Sequence, residues 1–72
     1  MRFYLYSVKC KSENFYYLPS GFKDNSTAIK NFEVVFLKQV KNPNDYELWK
    51  IGEFDQSMKH GLKAYEEPEQ IY

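Results

Sequence analysis

Residues 2–9 read RFYLYSVK, and this stretch sets the fold class that the rest of the chain must complete. Successive side chains of a β-strand point to opposite faces, and here both alternating sets contain large apolar or aromatic residues. Apolar groups on both faces are typical of a central strand in a sheet. Either face could pack against a helix. One face would carry Phe3, Leu5 and Ser7, and the other would carry Tyr4, Tyr6 and Val8.

A second strand is predicted just after the first. Residues 11–14 read KSEN, a polar stretch that is typical of a turn. The run from Phe15 to Leu18 is rich in residues that favour strands, and the Pro19-Ser20-Gly21 sequence is expected to end it. The two strands should therefore form a hairpin whose loop is several residues long.

A single helix is predicted from about Thr27 to Gln39. Residues 24–27 read DNST, a cluster of residue types that cap helix N-termini. Apolar residues then recur with the 3.6-residue period of a helix, and Val34 and Leu37 widen the stripe that they form. We expect a helix of this kind to be deeply packed or to lie at an interface. The stripe consists of Ala28, Ile29, Phe32, Val35 and Phe36.

Two further strands are predicted after the helix. Residues 42–45 read NPND, a strong turn signal, and residues 46–54 read as a third strand that is bent or bulged at Gly52. Residues 62–65 read as a weak fourth strand at an edge of the sheet. Residues 66–72 form an acidic tail that is expected to be mobile unless Ile71 and Tyr72 dock.

This order of elements predicts an α+β fold. A small antiparallel sheet, in the order strand, strand, helix, strand, strand, would carry one helix packed on one face. Residues 1–65 would form a single domain, followed by the tail of residues 66–72. The other face of the sheet would expose aromatic side chains, and a partner or a ligand should cover them.

The length and composition indicate how so small a domain could be stabilised. A chain of 72 residues forms one domain and buries only about 60% of its unfolded surface. Cys10 is the only cysteine and His60 the only histidine, so neither an internal disulfide nor a four-ligand zinc site is expected. Aromatic residues make up 19% of the chain, which indicates a dense aromatic core or a surface covered by a second copy. A homodimer is therefore predicted.

The sequence also bears on location and on general charge. No stretch approaches the roughly 20 apolar residues that a membrane span needs, and residues 1–4 do not resemble a signal peptide. An unpaired cysteine fits a reducing cytoplasm. The net charge is zero, but residues 1–41 carry +4 and residues 42–72 carry −4. Such asymmetry indicates either contact with a polyanion or two halves that attract each other.

No catalytic constellation is evident. Cys10 and His60 could form a nucleophile and base pair, but they lie on different predicted elements and no third group orients them. Alternate carboxylates at the two ends of the third strand could hold a divalent cation, although acidic pairs on solvated strands are far commoner. No glycine-rich phosphate loop is present. We therefore expect a protein that is not an enzyme and uses no cofactor or metal. The carboxylate pairs are Asp45 with Glu47, and Glu53 with Asp55.

Basic and aromatic residues interleave in the N-terminal half, which is the chemistry that binds single-stranded nucleic acid. Lysine and arginine neutralise phosphates, and aromatic rings stack on unpaired bases. The alternative is that the tyrosines lie in the core and the lysines face solvent. The candidates for phosphate contact are Arg2, Lys9, Lys11 and Lys30, and the candidates for base stacking are Tyr6, Tyr16, Tyr17 and Trp49.

Three segments, taken together, resemble a known family. They are LYSV at residues 5–8, AIKNF at residues 28–32 and NPNDYELWKIGEFD at residues 42–55. Their order and spacing resemble the small non-structural protein of gokushovirus-type microviruses, which are phages with small circular single-stranded DNA genomes. The resemblance covers nearly the whole chain up to about Asp55. The family usually has an acidic residue where Cys10 stands, and more often has arginine where Lys30 stands.

The resemblance implies a viral accessory protein that binds DNA during genome synthesis or packaging. The interleaved basic and aromatic residues fit this expectation, and single-stranded DNA is the predicted partner. The alternative is a protein-interaction module that associates with itself or binds a host or viral protein without contacting DNA. In that case the aromatic rings would lie in a protein interface, where Tyr and Trp are favoured anchors.

Overall fold

The computed structural model describes residues 2–57 and 61–72. These residues form an α+β fold whose strands are all antiparallel, as the sequence predicts. The predicted order differs in detail, because three strands rather than two precede the helix. The elements are β1 (Arg2–Cys10), β2 (Phe15–Tyr16), β3 (Ser20–Phe22), helix α1 (Asn25–Asn31), a π-helical turn (Phe32–Phe36), a 3-10 turn (Pro43–Asp45), β4 (Tyr46–Asp55) and β5 (Leu62–Gln70).

The sheet is built around β1. Its strand order is β2-β1-β4-β5, and β3 pairs with β1 on the edge that β2 also uses. The predicted second strand, residues 15–18, is thus shortened to β2, and β3 forms where the sequence predicted the strand to have ended. Pro19 has no N–H to donate to a ladder, and the Ser7 hydroxyl donates to the Tyr17 carbonyl at 2.7 Å across the gap. Pairing with β1 then resumes at Ser20 instead of ending at Pro19.

The helix packs on the face of the sheet that carries Tyr4, Tyr6 and Val8, which we call the helix side. Tyr6 and Leu48 from the sheet form a buried cluster with two residues from the helical segment. The Tyr6 and Phe22 rings pack at 5.9 Å. The opposite face, which we call the open face, carries Ser7, Lys9 and Trp49, and no helix covers it among the described residues. The helical residues of the cluster are Ala28 and Phe32.

The helix begins at Asn25, two residues before the predicted start but within the predicted capping cluster, and it continues differently from the prediction. The Asp24 carboxylate caps its N-terminus by accepting a hydrogen bond from the Thr27 N–H at 2.8 Å. After Asn31 the backbone opens into a π-helical turn, in which the Leu37 N–H donates to the Phe32 carbonyl at 2.9 Å. The extra residue in this turn rotates the chain. Phe36 and Leu37 therefore pack against the core, whereas Val35, predicted to be buried, is exposed.

The predicted irregularity at Gly52 is confirmed. The register of β4 against both neighbouring strands shifts between Lys50 and Gly52, so Ile51 is an extra residue in the ladder. On β5, the four residues from Tyr65 to Pro68 lie between the partner of Gly52, which is Ala64, and the partner of Lys50, which is Glu69. This bulge bends the two strands together and contributes to the curl of the sheet.

The C-terminal residues lie against the body of the protein. The strand predicted to end at Tyr65 runs to Gln70, so the acidic residues after position 65 belong to β5. The sequence left open whether Ile71 and Tyr72 dock, and both do. The Ile71 N–H donates to the Leu48 carbonyl at 2.9 Å, and the Tyr72 ring lies 4.9 Å from the Phe32 ring.

Candidate nucleic-acid interface

Three of the predicted site residues meet on the open face. Lys9 lies opposite Tyr16 in the register of β1 and β2, and Trp49 is contributed by the neighbouring β4. The Lys9 ammonium lies 5.5 Å from the centre of the Tyr16 ring and 5.6 Å from the Trp49 ring. Both distances fall within cation–π range. We call Lys9, Tyr16 and Trp49 the aromatic platform, since two rings flank one positive charge.

A carboxylate balances the charge of the aromatic platform. Glu47 lies opposite Lys9 in the register of β1 and β4. Its oxygens accept hydrogen bonds from the Trp49 indole N–H at 3.1 Å and from the Gln70 amide at 3.1 Å. These bonds fix the orientation of the indole ring. The negative charge beside Lys9 also means that phosphate attraction at the platform is modest.

An apolar groove continues from the aromatic platform along the open face. Its volume is about 370 Å³, and Tyr16 belongs to both the groove and the platform. The bulge at Ile51 turns that side chain into the groove wall, and β5 supplies Pro68. The sequence did not identify this groove because Pro68 lies in the predicted tail, where no local pattern connects it to Tyr16. The remaining lining residues are Ser7, Tyr17 and Pro19.

Tyr6 does not fit its predicted role in stacking on bases. Its residue surface is only 2% exposed, and its hydroxyl donates to the Asn25 side-chain oxygen at 2.7 Å. Burial, followed by the charge of Asp24, raises the pKa of the Tyr6 hydroxyl to about 12. Tyr6 therefore belongs to the core, which is the alternative that the sequence left open for the tyrosines.

Tyr17 lies apart from the aromatic platform. Its ring packs edge-on against the Phe36 ring at 5.5 Å, on the helix side of the sheet. It also stacks on Phe15 at 5.0 Å. Adjacent residues of an extended chain point to opposite faces, so Tyr16 and Tyr17 cannot both stack on one nucleic-acid strand at the platform.

The four predicted phosphate contacts are spread over the molecule. Arg2 begins β1, roughly 23 Å from Lys9 at strand spacing, and its guanidinium lies 3.9 Å from the Asp55 carboxylate. Lys30 is in the last turn of the helix, on the other layer, and Lys11 is in the turn after β1. Of the four predicted phosphate contacts, Lys9 is therefore the basic residue that lies at the platform. This scatter weighs against a broad DNA-binding face.

Cys10, the candidate nucleophile, is held by structural contacts. The Cys10 thiol is buried and donates to the Asp45 carboxylate at 3.4 Å, and Ser12 donates to the same carboxylate through its N–H and its hydroxyl. His60, the proposed base, lies outside the described residues. This arrangement joins the turn after β1 to the 3-10 turn before β4.

In each candidate carboxylate pair, the two side chains bind different partners. Glu53 accepts a hydrogen bond from the Tyr65 hydroxyl at 3.0 Å, while Asp55 accepts from Ser57. Asp45 is turned toward Ser12 and Glu47 toward Trp49. Across residues 2–57 and 61–72, no group of three or more His, Cys, Asp or Glu side chains is arranged to hold a metal ion.

The contacts of Asp45 predict acid sensitivity. The Ser12 hydroxyl, more than any other group, lowers the pKa of Asp45 from its ordinary value. A carboxyl with a lowered folded-state pKa stabilises the protein above its unfolded pKa of about 4, and that stability is lost as pH falls through the folded-state value. We expect the melting temperature to decrease as the pH is lowered below about 4. In the Asp45→Asn variant this decrease should be less steep. If the melting temperatures of the two proteins decreased with pH at the same rate over this range, the prediction would be wrong.

The described residues form a small α+β fold with an open face that carries the aromatic platform and the groove. Among the described residues, no helix is both long and apolar enough to span a membrane. The sequence model of the phage ORF5 protein family matches residues 3–72, and the chain belongs to that family. No curated protein matches it, and no solved structure matches it.

Proposed function

We propose that this phage protein is a non-enzymatic accessory protein that binds single-stranded DNA in the cytoplasm of the host during genome synthesis or packaging. The observation that carries the proposal is the position of Lys9 between the rings of Tyr16 and Trp49. A phosphate would meet the ammonium, while the adjacent bases stack on the two rings. The resemblance to gokushovirus-type microviruses, whose genomes are single-stranded DNA, supports the same partner.

The platform favours weak binding that is insensitive to sequence. One lysine beside one glutamate supplies little net attraction for phosphate, so stacking must provide most of the affinity. The groove beside the platform is almost entirely apolar and offers few groups that could read a base edge. A protein of this kind suits coating or guiding a strand better than recognising a defined site.

A titration of labelled single-stranded DNA at several salt concentrations tests the proposal. We expect Tyr16→Ala to weaken binding by about 1–3 kcal/mol, the loss of one stacked base. Lys9→Gln should reduce the slope of log affinity against log salt by about 0.7, the value of one phosphate on a single strand. Trp49 is the only tryptophan, so DNA should also quench the intrinsic fluorescence of the protein.

Lys30→Gln is the matched control, because Lys30 lies on the helical layer and its loss removes the same charge. It should leave the affinity and the salt slope close to those of the unmodified protein. Equal losses for Lys9→Gln and Lys30→Gln would mean that only general charge matters, and would sink the platform as a site. No binding at low salt would reject DNA as the partner.

A host or viral protein is the second candidate partner. The observation that favours it is the apolar groove on the open face, because a groove walled by tyrosine, isoleucine and proline suits an apolar side chain of a peptide. An Ile51→Lys variant would block the groove while adding a positive charge. This second function would be favoured if the variant bound DNA more tightly than the unmodified protein but no longer captured a phage or host protein that the unmodified protein captures.

A further inference from the structure

The buried core of the described residues is small for a chain in which 19% of the residues are aromatic. Five apolar residues are buried among those that the structure describes. The accessible surface is 5302 Å², whereas a compact monomer of 8.7 kDa is expected to expose roughly 4,700 Å². The molecule is a thin slab of 41 × 23 × 16 Å. The surplus surface of roughly 600 Å² is about three quarters of the roughly 800 Å² that each partner buries in a stable protein–protein interface. The buried residues are Tyr6, Cys10, Ala28, Phe32 and Leu48.

Exposed apolar groups concentrate at one edge of the sheet. Phe15, Tyr17 and Leu18 lie at the edge that β2 and β3 form, and we call these three residues the aromatic edge. Leu18 is 91% exposed, the highest value among the large apolar residues. The Phe15 ring stacks on Tyr17, which in turn rests on Phe36 of the helical segment. Leu18 therefore projects beside rings that already pack on one another.

The two edges of the sheet differ in how they are protected from other chains. The outer strand β5 carries Lys63, Pro68 and three glutamates, and charge and proline are the features that keep edge strands from pairing. The opposite edge, residues 15–22, reads FYYLPSGF and has no charged residue. Two copies of this segment can approach each other without repulsion between like charges, and the zero net charge of the whole chain does not oppose their approach.

We propose that a second copy of this chain docks on the aromatic edge, forming a symmetric dimer. In a twofold arrangement the same surface serves both copies, so Leu18 of each would pack on the Phe15 and Tyr17 rings of the other. Pro19 lacks an N–H and limits the backbone pairing that could cross the interface. Side chains therefore carry most of the contact.

This dimer and the aromatic platform use different surfaces. The platform residues lie on the open face, whereas the Tyr17 ring rests on Phe36 on the helix side and the Phe15 ring stacks on Tyr17. Tyr17 also lines the groove, so the dimer would border the groove but not cover the platform. Two platforms would thus remain accessible in the dimer, one on each copy. The dimer does not depend on the proposed function, because the aromatic edge is apolar whatever ligand the open face binds.

Sedimentation of the full chain across a concentration series tests the dimer. We expect the unmodified protein to pass from monomer to dimer as concentration rises. Leu18→Asp should raise the dimer dissociation constant by roughly a hundredfold, since each copy loses one buried leucine. Leu18 is almost fully exposed in the single chain, so the variant should retain its fold, which circular dichroism would check.

Val34→Asp is the matched control, because Val34 is an exposed apolar residue in the π-helical turn, away from the aromatic edge. It should leave the dimer dissociation constant unchanged. A sedimentation pattern that remains monomeric at the highest soluble concentration would overturn the proposal. So would a Val34→Asp variant that dissociates as readily as Leu18→Asp. Binding of single-stranded DNA by monomeric Leu18→Asp would show that the platform works without the dimer.

Discussion

Replacing Tyr6 with alanine is expected to remove a large part of the free energy of unfolding of the protein. Tyr6 is the largest fully buried side chain in the described structure, and it contacts residues of both the sheet and the helix. Truncating a buried aromatic ring costs about 3–5 kcal/mol. A domain of this length has roughly 4–11 kcal/mol of stability in total. Urea unfolding followed by circular dichroism would measure the loss.

Two variants separate the contributions of Tyr6. Tyr6→Phe keeps the ring and removes only the hydroxyl, which leaves the Asn25 oxygen without its donor, so a loss of about 1 kcal/mol is expected. Tyr16→Ala removes an equally large ring that is 48% exposed, and should cost no more than about 1 kcal/mol. If Tyr16→Ala destabilised the protein as much as Tyr6→Ala, the division between core and surface tyrosines would be wrong.

Gly52→Ala is expected to produce the second largest effect on stability. A Cβ atom at this position would lie 2.5 Å from the Lys63 carbonyl oxygen and 3.4 Å from the Ala64 Cα. Both atoms belong to the backbone of β5, so no side-chain rotation can relieve the contact. Separating the strands at the bulge should cost about 1–3 kcal/mol, the typical penalty of overpacking. Thermal and urea unfolding would both detect it.

Gly21→Ala provides the comparison for Gly52→Ala. Gly21 also lies in a strand, but the nearest atoms to its added Cβ would be 3.9 Å away, which is ordinary contact. Its substitution should be neutral, or should stabilise the protein by about 0.4–1 kcal/mol by restricting the unfolded chain. Equal destabilisation by the two variants would indicate a general intolerance of alanine in these strands and would contradict the close approach at the bulge.

The position of Gly52 also links stability to the proposed site. The bulge beside it turns Ile51 into the groove and brings Pro68 of β5 to the opposite wall. A Gly52→Ala variant that still folds should therefore have an altered groove, while the contact of Lys9 with Tyr16 in the aromatic platform remains. This difference allows binding at the groove and binding at the platform to be examined separately.

Local pattern predicted much of the secondary structure. Alternation in residues 2–9 identified the central strand, and Asp24 lies in the cluster that was expected to cap the helix. Gly52 marked the irregularity in β4. These features depend on a residue and its near neighbours in the chain, which is the information that a sequence contains directly.

The candidate site was predicted less well, because its members come from separate strands. The sequence proposed eight residues, and the platform unites Lys9, Tyr16 and Trp49. Composition could not distinguish Tyr6 from Tyr16, since both are tyrosines among strand-forming residues. Their environments differ because one points toward the helix and the other toward the open face.

The sequence by itself determined that this chain has a small antiparallel α+β fold, through the period of its apolar residues and its turn signals. Only the tertiary structure decided that Tyr4, Tyr6 and Val8, rather than Phe3 and Leu5, face the helix. It also decided that a π-helical turn exposes Val35, and that the acidic residues after position 65 continue a strand. The physical reason is that side-chain period identifies an element, whereas the choice of face depends on which elements bury one another.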